Sequence, residues 1–533
     1  MSFFVRTPPS ERNEVRKRLE ILDQVKEVRK VERRVDIGRE ESVPILEVVP
    51  RHYKNLQDIA KIVASNGGYH DYALYNVDLR FGQRYCLAHK IFPCGLLWYN
   101  NGRWRAEEEQ FALDYPLPKL RAELLDIHIA NPLGIPRFQD KLLGARIGDV
   151  GIEGSESETL EKLNAAVRDL DPDVVLTDGG DAFTMPYLAR KAAEHSVNLQ
   201  LGRDPDRFIE RRGKSYFTYG KIVYKPGQYL LKGRLHLDRG HFAYRESAMA
   251  GLAELSRLSL LMPQEQARLT PGTAISAMQV NLAIRDGCLV IWKKNRPEDF
   301  KTAEDLVLGD RGGFIFEPEV GLHEGLYELD FSALYPSIMA KYNISPECLD
   351  CSCCGGNAFP VPGLKYRLCT SRVGLIPRVL KPILERRRYY KKMKKEPGPL
   401  EEVYRDRDAI LKWLLVTTFR LHRVQERTLR THRVSRGDQR NRAGPPRSDD
   451  GNRRIPWVRR RPWHRGLDLA PCPRERGPDP HGHRPHRGRN RAHDRTRRAI
   501  QVDRVPPVQD DRRRRAEPVL WPLRKRRIQA PRH

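Results

Sequence analysis

Apolar and polar positions change period several times along this chain, and each change predicts an element. Residues 11–35 are densely charged and helix-prone. From about 44 to 120, short β-type runs between turns predict strands, among them Tyr72-Ala-Leu-Tyr-Asn-Val-Asp78 and Arg84-Tyr-Cys-Leu. A strand at Ala122–Ile129, a helix near Glu158–Leu170, a strand at Asp173–Leu176 and helices near Met185–His195 and over Phe242–Leu260 follow. Ala274–Arg285 reads as a helix and Gly325–Phe331 as an apolar strand that carries Asp330 at its end. Arg378–Lys395 and Leu400–Thr418 read as two further helices, and after Phe419 the periodicity stops. The pattern predicts a multidomain α/β and α+β chain with a β-rich domain over 1–120 and an α/β domain over 121–255. A third domain over 256–375, a helical pair over 376–419 and a tail over 420–533 complete it.

Composition sharpens the break. A chain of 533 residues can build several cores, and its formal charge of +28 points towards nucleic acid. That charge is uneven: residues 420–533 hold 34 Lys and Arg against 12 Asp and Glu, whereas residues 1–419 hold 63 against 57. All but one of the tail's basic residues are Arg, and fourteen Pro with no Phe or Tyr leave it nothing to bury. Either a disordered Arg-rich arm or an out-of-frame, GC-rich gene gives this composition. No apolar run of about 18 residues predicts a membrane span. The opening Met-Ser-Phe-Phe-Val-Arg has no secretory apolar region, and nine cysteines, five between Cys348 and Cys369, fit a reducing, cytoplasmic setting.

The chemistry centres on Asp330-Phe-Ser-Ala-Leu-Tyr-Pro-Ser337, a carboxylate at a strand's end followed at once by a Leu-Tyr-Pro turn. Two-metal phosphoryl transfer needs carboxylates from separated strands around ions about 3.5–4 Å apart. The string resembles motif A of the family B DNA polymerases. Asp78-Leu-Arg-Phe-Gly-Gln-Arg-Tyr85, Arg311-Gly312-Gly313, Glu317-Pro318, Gly321 and Asn343-Ile-Ser-Pro346 resemble its flanks. The resemblance implies a partial palm over 256–375 and fingers over 376–419. It implies Asp330 as a Mg²⁺ ligand of a two-metal site and Tyr335 as the gate against a ribose 2′-hydroxyl. Glu385 to Lys394 is similar to the first fingers helix, which makes Arg386 a contact for the incoming triphosphate. In the second, Lys412 is kept as a phosphate contact, while Val416, Thr417 and Phe419 replace Asn, Ser and Tyr. Primer–template DNA and deoxynucleoside triphosphates are the implied partners, with a sliding clamp as a candidate and no membrane.

Residues 121–255 resemble the family's ribonuclease H-like 3′–5′ exonuclease domain with its acids removed. The first motif reads Asp126-Ile127-His128, the second Gly179-Gly180-Asp181-Ala182-Phe183-Thr184, and the third Tyr244-Arg-Glu-Ser-Ala248. His128, Thr184 and Ala248 replace three of four metal carboxylates, so an inactive exonuclease is expected, as in the second archaeal branch of the family. Asp181 is disfavoured as a displaced ligand because its neighbours align without it. Cys351-Ser-Cys353-Cys354 with Cys369, and Cys348 just upstream, form a candidate structural Zn²⁺ site, with free thiols as the alternative.

After Phe419 the family continues Gly-Tyr-x-Gly-Tyr-x-x-Ala-Arg. Phe419 to Arg427 can be encoded TTC CGG CTA CAC CGG GTA CAA GAA CGC, and deleting one C yields Phe-Gly-Tyr-Thr-Gly-Tyr-Lys-Asn-Ala. The same shift turns Ile455–Leu467 into a string ending His-Gly-Ile-Val-Asp-Ser, with the Gly forced by the single Trp463 codon; this resembles motif C, Tyr-Gly-Asp-Thr-Asp-Ser. The residue after that Gly cannot be Asp, because the His464 codon begins CA. The expectation is a frameshift near codon 420 that leaves this chain weakly active or inactive. The alternative is a noncatalytic DNA-binding replication or repair factor.

Overall fold

The structure, a computed structural model, describes residues 1–68, 71–130, 134–204, 208–218, 221–292, 303, 317, 320–323, 327–362, 364, 366–422 and 523–527. The chain divides into two compact units, Met1–Asp310 with Ala333–Arg433, and Arg311–Ser332 with Val434–His533. Most of the expected out-of-frame tail, including residues 423–427 of the first displaced motif and all of the second, and the Arg311–Gly313 and Pro318 positions lie outside the described residues.

The first unit begins with β1 (Phe3–Arg6), α1 (Arg12–Glu20), β2 (Val25–Arg34), β3 (Ser42–Pro50), α2 (Leu56–Asn66) and β4 (Ala73–Tyr75). Its antiparallel sheet runs β2-β3-β1-β4. Val15, Leu19, Ile59 and Val63 from the helices pack on Phe3, Val5, Leu46 and Val48. The helix-prone reading of 11–35 therefore holds for α1 and is corrected to a strand over Val25–Arg34. Val25, Val28 and Val31 are β-branched, and pairing with β3 past a bulge at Val25/Glu27 satisfies a ladder that charge alone does not reveal. Arg84-Tyr-Cys-Leu, expected as a strand, lies in α3 (Phe81–His89). The Arg84 guanidinium anchors that helix by donating to the carbonyls of Ser2, Asn76 and Leu79. A hairpin of β5 (Leu97–Asn100) and β6 (Arg103–Ala106) turns on Asn101-Gly102, both at positive φ as a two-residue turn requires.

The next layer is a mixed five-stranded sheet of β7 (Ala122–Ile129), β8 (Leu142–Ile147), β9 (Val150–Glu153), β10 (Val174–Thr177) and β15 (Leu235–Asp238), ordered β15-β10-β7-β8-β9. The β7-β8-β9 meander is antiparallel, while β10 runs parallel to both β7 and β15. Helix α4 (Glu156–Leu170) starts on a Ser155/Glu158 capping box and, with α5 (Met185–Glu194), covers the sheet through Leu160, Leu163, Val167 and Leu188. Short strands β11 to β14 occupy Ile209–Arg211, Lys214–Thr218, Lys221–Lys225 and Gln228–Leu230.

Helices α6 (Phe242–Ser259), α7 (Pro263–Gln266), α8 (Pro271–Arg285), α9 (Leu334–Lys341), α10 (Leu375–Met393) and α11 (Glu401–His422) complete the unit, with the two-residue strands β17 (Phe359–Pro360) and β18 (Arg367–Leu368) between α9 and α10. Leu252, Leu255 and Leu258 of α6 share one core with Ile275, Leu380, Ile383, Ile410, Leu411 and Leu414. Packing thus runs across the boundaries expected at 255 and 375. In the second unit, β16 (Tyr327–Phe331) pairs antiparallel with β19 (Leu523–Arg527), which sets Asp330 opposite Arg524 in the ladder.

Candidate functional site

Asp330 is the fourth residue of β16 and is exposed. The chain then turns sharply: Ala333 takes φ +52, a left-handed conformation unusual for a residue with a Cβ, and α9 begins at Leu334. Pro336 falls in the first turn of α9, where an N–H would have no intrahelical partner. Tyr335 precedes it and is exposed. Asp330 belongs to the second unit, whereas Tyr335, Arg386 and Lys412 belong to the first.

Helices α10 and α11 carry the expected phosphate contacts, and the structure places them differently. Lys412 is exposed on α11. Arg386 is 1% exposed, with its Nε 2.5 Å from Oε1 of Glu254, which is itself 0% exposed. Its other donors reach Oε2 of Glu254 at 3.1 Å and the Phe111 carbonyl at 2.8 Å. The hydroxyls of Tyr115 and Tyr390 also point at Oε2 of Glu254. Burial pushes the Glu254 carboxyl up, but the Arg386 guanidinium overrides it and holds the acid below its ordinary range. The expectation that Arg386 faces an open nucleotide site is corrected for this conformation: the side chain is committed to a buried ion pair. Arg388 and Lys392, one turn apart, are exposed on α10, as are Arg378 and Lys381, while Lys394 is 2.5 Å from Asp408. Sequence reasoning missed Glu254, which lies 132 residues from Arg386 and follows no motif.

The positions read as degenerate exonuclease motifs lie on β7, on the turn after β10 and on α6. Asp126 and His128 are exposed on β7, and Arg146 on the neighbouring strand lies 3.6 Å from the Asp126 carboxylate. Gly179 takes φ +65 and leads into a π-helical turn over Gly180–Thr184. A Cβ at Gly180 would meet Thr177 Oγ1 at 2.0 Å and His236 Nε2 at 2.6 Å, so only glycine fits. Thr184 is buried, with its hydroxyl 3.4 Å from the Asp178 carbonyl. Tyr244 is partly buried and Ala248 exposed. Ala248 breaks α6 at φ +43, ψ −154. Asp181 turns inward: Arg268 donates to its two oxygens at 2.6 and 3.0 Å and the Tyr229 N–H at 3.0 Å. Burial opposes its ionisation, yet hydrogen bonds from His241 and Arg268 hold its carboxyl well below the usual range. The acid therefore ties β14 and the segment after α7 to the π-turn, a packing role.

The four cysteines of the candidate metal site do converge. The Sγ atoms of Cys351, Cys353, Cys354 and Cys369 all lie within 4.8 Å of one another, and every pair but Cys351–Cys369 is separated by 3.3 to 3.9 Å. A tetrahedral ion at about 2.3 Å from each sulfur requires edges of about 3.8 Å, so the donor set suits zinc. The Ser371 hydroxyl and the Thr370 N–H both reach Cys354 Sγ and favour its thiolate. Cys348 is buried beside the group but is not part of it. Among the described residues no other set of three or more His, Cys, Asp or Glu ligand atoms draws together, and no helix is long and apolar enough to cross a membrane.

A sequence profile described as DNA polymerase family B matches residues 289–415. A DNA polymerase of Pyrococcus glycovorans is 27% identical over 396 residues, covering 62% of this chain and 48% of that protein. DNA polymerase 1 of Pyrococcus abyssi is 29% identical over 303 residues, covering 48% of this chain and 38% of that one. The chain thus spans about half or less of these relatives' lengths. The family B DNA polymerase of Pyrobaculum calidifontis shares the fold, with a TM-score of 0.60 at 19% identity over 81% of this chain and 64% of that one. With a motif A strand and turn inside the matched segment, the chain is a relative of the archaeal family B DNA polymerases.

Proposed function

We propose that this chain descends from a template-directed DNA polymerase that lacks proofreading, and that as written it synthesises little or no DNA. The reading is carried by Asp330, exposed at the end of β16 and followed directly by the Tyr335 turn, inside the profile match. In the parent reaction a primer 3′-hydroxyl attacks an incoming deoxynucleoside triphosphate. Divalent ions supply charge neutralisation and a more acidic hydroxyl. Asp330 would be one ligand, Tyr335 would exclude a 2′-hydroxyl, and Lys412 would hold a phosphate. Arg386 would join them only after leaving Glu254. Asp330 is the sole carboxylate that motif A brings, and a two-ion site needs more; the residues present do not complete it. The missing motif C, displaced by a frameshift near codon 420, is the reason we favour.

Loss of exonuclease activity follows from His128, Thr184 and Ala248, supported by the pairing of Asp126 with Arg146 and of Asp181 with Arg268. DNA and deoxynucleotides are the proposed partners, with a sliding clamp as a candidate, in the cytoplasm. A structural zinc ion on Cys351, Cys353, Cys354 and Cys369 belongs to the same reading.

Primer extension with Mg²⁺ or Mn²⁺ tests the reading on two chains, this one and its frame-restored counterpart. Extension by the restored chain alone, abolished by Asp330→Ala, is expected; robust extension by the chain as written would overturn the truncation. Resequencing codons 415–425 gives an independent check. The second reading, a noncatalytic DNA-binding factor, rests on the tail's 33 arginines. It requires that Asp330→Ala leave the chain's role intact.

A further inference from the structure

The cysteine cluster sits at a junction. It lies in the loop that leaves α9, the helix after motif A, and enters α10, the helix that carries Arg386. Three polar side chains on the α9 side of the loop satisfy the start of α10. Oε1 of Glu347 accepts from the N–H of Leu375, Oγ of Ser345 accepts from Ile376 at 3.2 Å, and Oδ1 of Asn343 accepts from Gly374 at 2.8 Å. A carboxylate and a hydroxyl on the first free N–H groups form a cap, and the carboxylate suits the positive end of the helix.

The cap is held in place from the cysteine side. Asn343 takes positive φ and its Nδ2 donates to the carbonyls of Cys369 at 2.8 Å and Arg372 at 2.7 Å. The Cys369 N–H donates to the Cys348 carbonyl at 2.8 Å, and Arg372 donates to the carbonyls of Glu347 at 3.0 Å and Gly38 at 3.1 Å. Gly374 packs so closely that a Cβ there would meet Ser345 Cβ at 2.5 Å and Cys348 Sγ at 2.8 Å. Among the described residues, the connection between α9 and α10 holds only two three-residue 3-10 turns (Pro346–Cys348 and Gly355–Asn357) and the two-residue strands β17 and β18, little regular structure to fix these partners. Cys369 lies six residues before the first residue of α10, and the other three ligands lie on the far limb of the loop.

We infer that metal held by Cys351, Cys353, Cys354 and Cys369 is the fastener that fixes the start of α10 to the segment leaving motif A. The ion joins the two limbs of the loop, so that Cys369 and Arg372 are held where Asn343 and Glu347 can meet them. This rests on the zinc reading above. The site is thereby a positioning device for the helix that presents the candidate nucleotide contacts, and its ligands do not touch the nucleotide.

The test uses the full chain purified without added metal. Elemental analysis should find about one zinc per chain, as four thiolates require. Amide hydrogen exchange is then compared before chelation, after it, and after zinc is restored. Chelation should speed exchange at residues 343–349 and 374–378 by about ten-fold, the scale of one lost cap. Exchange in β7 and β8 should not change, and zinc should reverse the effect. Cys353→Ser, at the exposed ligand, should reproduce the chelated pattern. Asn343→Ala should speed exchange at the helix start with zinc still bound. Zinc present with unchanged exchange on chelation overturns the fastener and leaves the zinc reading standing; a chain without zinc overturns both.

Discussion

Glu254 and Arg386 are an ion pair in a place where neither charge meets water. Such a pair adds little net stability compared with an apolar replacement, but removing one partner strands the other. Glu254→Gln should therefore destabilise the first unit by about 3–5 kcal/mol, read as a fall in its melting temperature and denaturant midpoint; an unchanged midpoint would mean that the buried guanidinium finds another acceptor. His236 is a second residue set by burial. It is 0% exposed, its Nε2 lies 2.8 Å from the Thr177 hydroxyl, and its Nδ1 lies 2.7 Å from the Tyr229 carbonyl. Burial, reinforced by the Arg268 charge, pushes its pKa from 6.5 down to about 4. The unfolded chain then takes up the proton first, so stability is intact above about 6.5, falls as pH drops, and stops falling on this account near 4. Melting temperatures between about pH 7.5 and pH 4 check this, and His236→Gln should flatten the profile. Glu156 acts lower: burial pushes it up, but Lys191, the Leu142 N–H and His195 bring it down to about 2, so its contribution is lost only as pH falls from 4.5 towards that value.

At the scale of elements, α6 is the informative helix. Its first turns carry Tyr244 to Ala248, the string read as a third exonuclease motif, and its last turns enter the core with α8, α10 and α11. The break at Ser247–Ala248 lies between those two tasks. Ala248 occupies a left-handed, extended conformation that costs a residue with a Cβ about 1–3 kcal/mol. Ala248→Gly should raise stability by about 1 kcal/mol, detectable as a higher melting temperature; a loss would show that Ala248 packs more than its exposure indicates. The π-turn at Gly180–Thr184 similarly keeps an unusual backbone while Asp181 serves Arg268.

For the whole molecule, the uneven charge separates two readings of DNA binding. If the tail is a working arm, its 33 arginines should give the full chain a steep loss of DNA affinity with salt. Truncation after Phe419 should then remove most of the binding and most of the slope. If binding belongs to the polymerase body, the truncated chain should keep its sequence-independent affinity with a shallow slope. Measuring affinity for primer–template DNA across a salt series distinguishes them.

The sequence alone pointed to the resemblance to family B DNA polymerases, because the strings that carry it around Asp330, Arg386 and Lys412 are local and depend on short spacing. It also supports the reading in which His128, Thr184 and Ala248 replace exonuclease acids, and it places the four cysteines close along the chain. Strong periodicity made β7, α4, α5, α6, α8, α10 and α11 legible. It failed at Val25–Arg34 and at Arg84–Leu87, where a bulged ladder to β3 and carbonyls of distant residues override local preference. Tertiary structure decided the rest. Burial turned Arg386 from an open cation into the partner of Glu254, turned Asp181 from a spare acid into an anchor, and tied the cysteine loop to the start of α10. These outcomes depend on desolvation and on partners more than a hundred residues away or across a loop, and no local pattern encodes them.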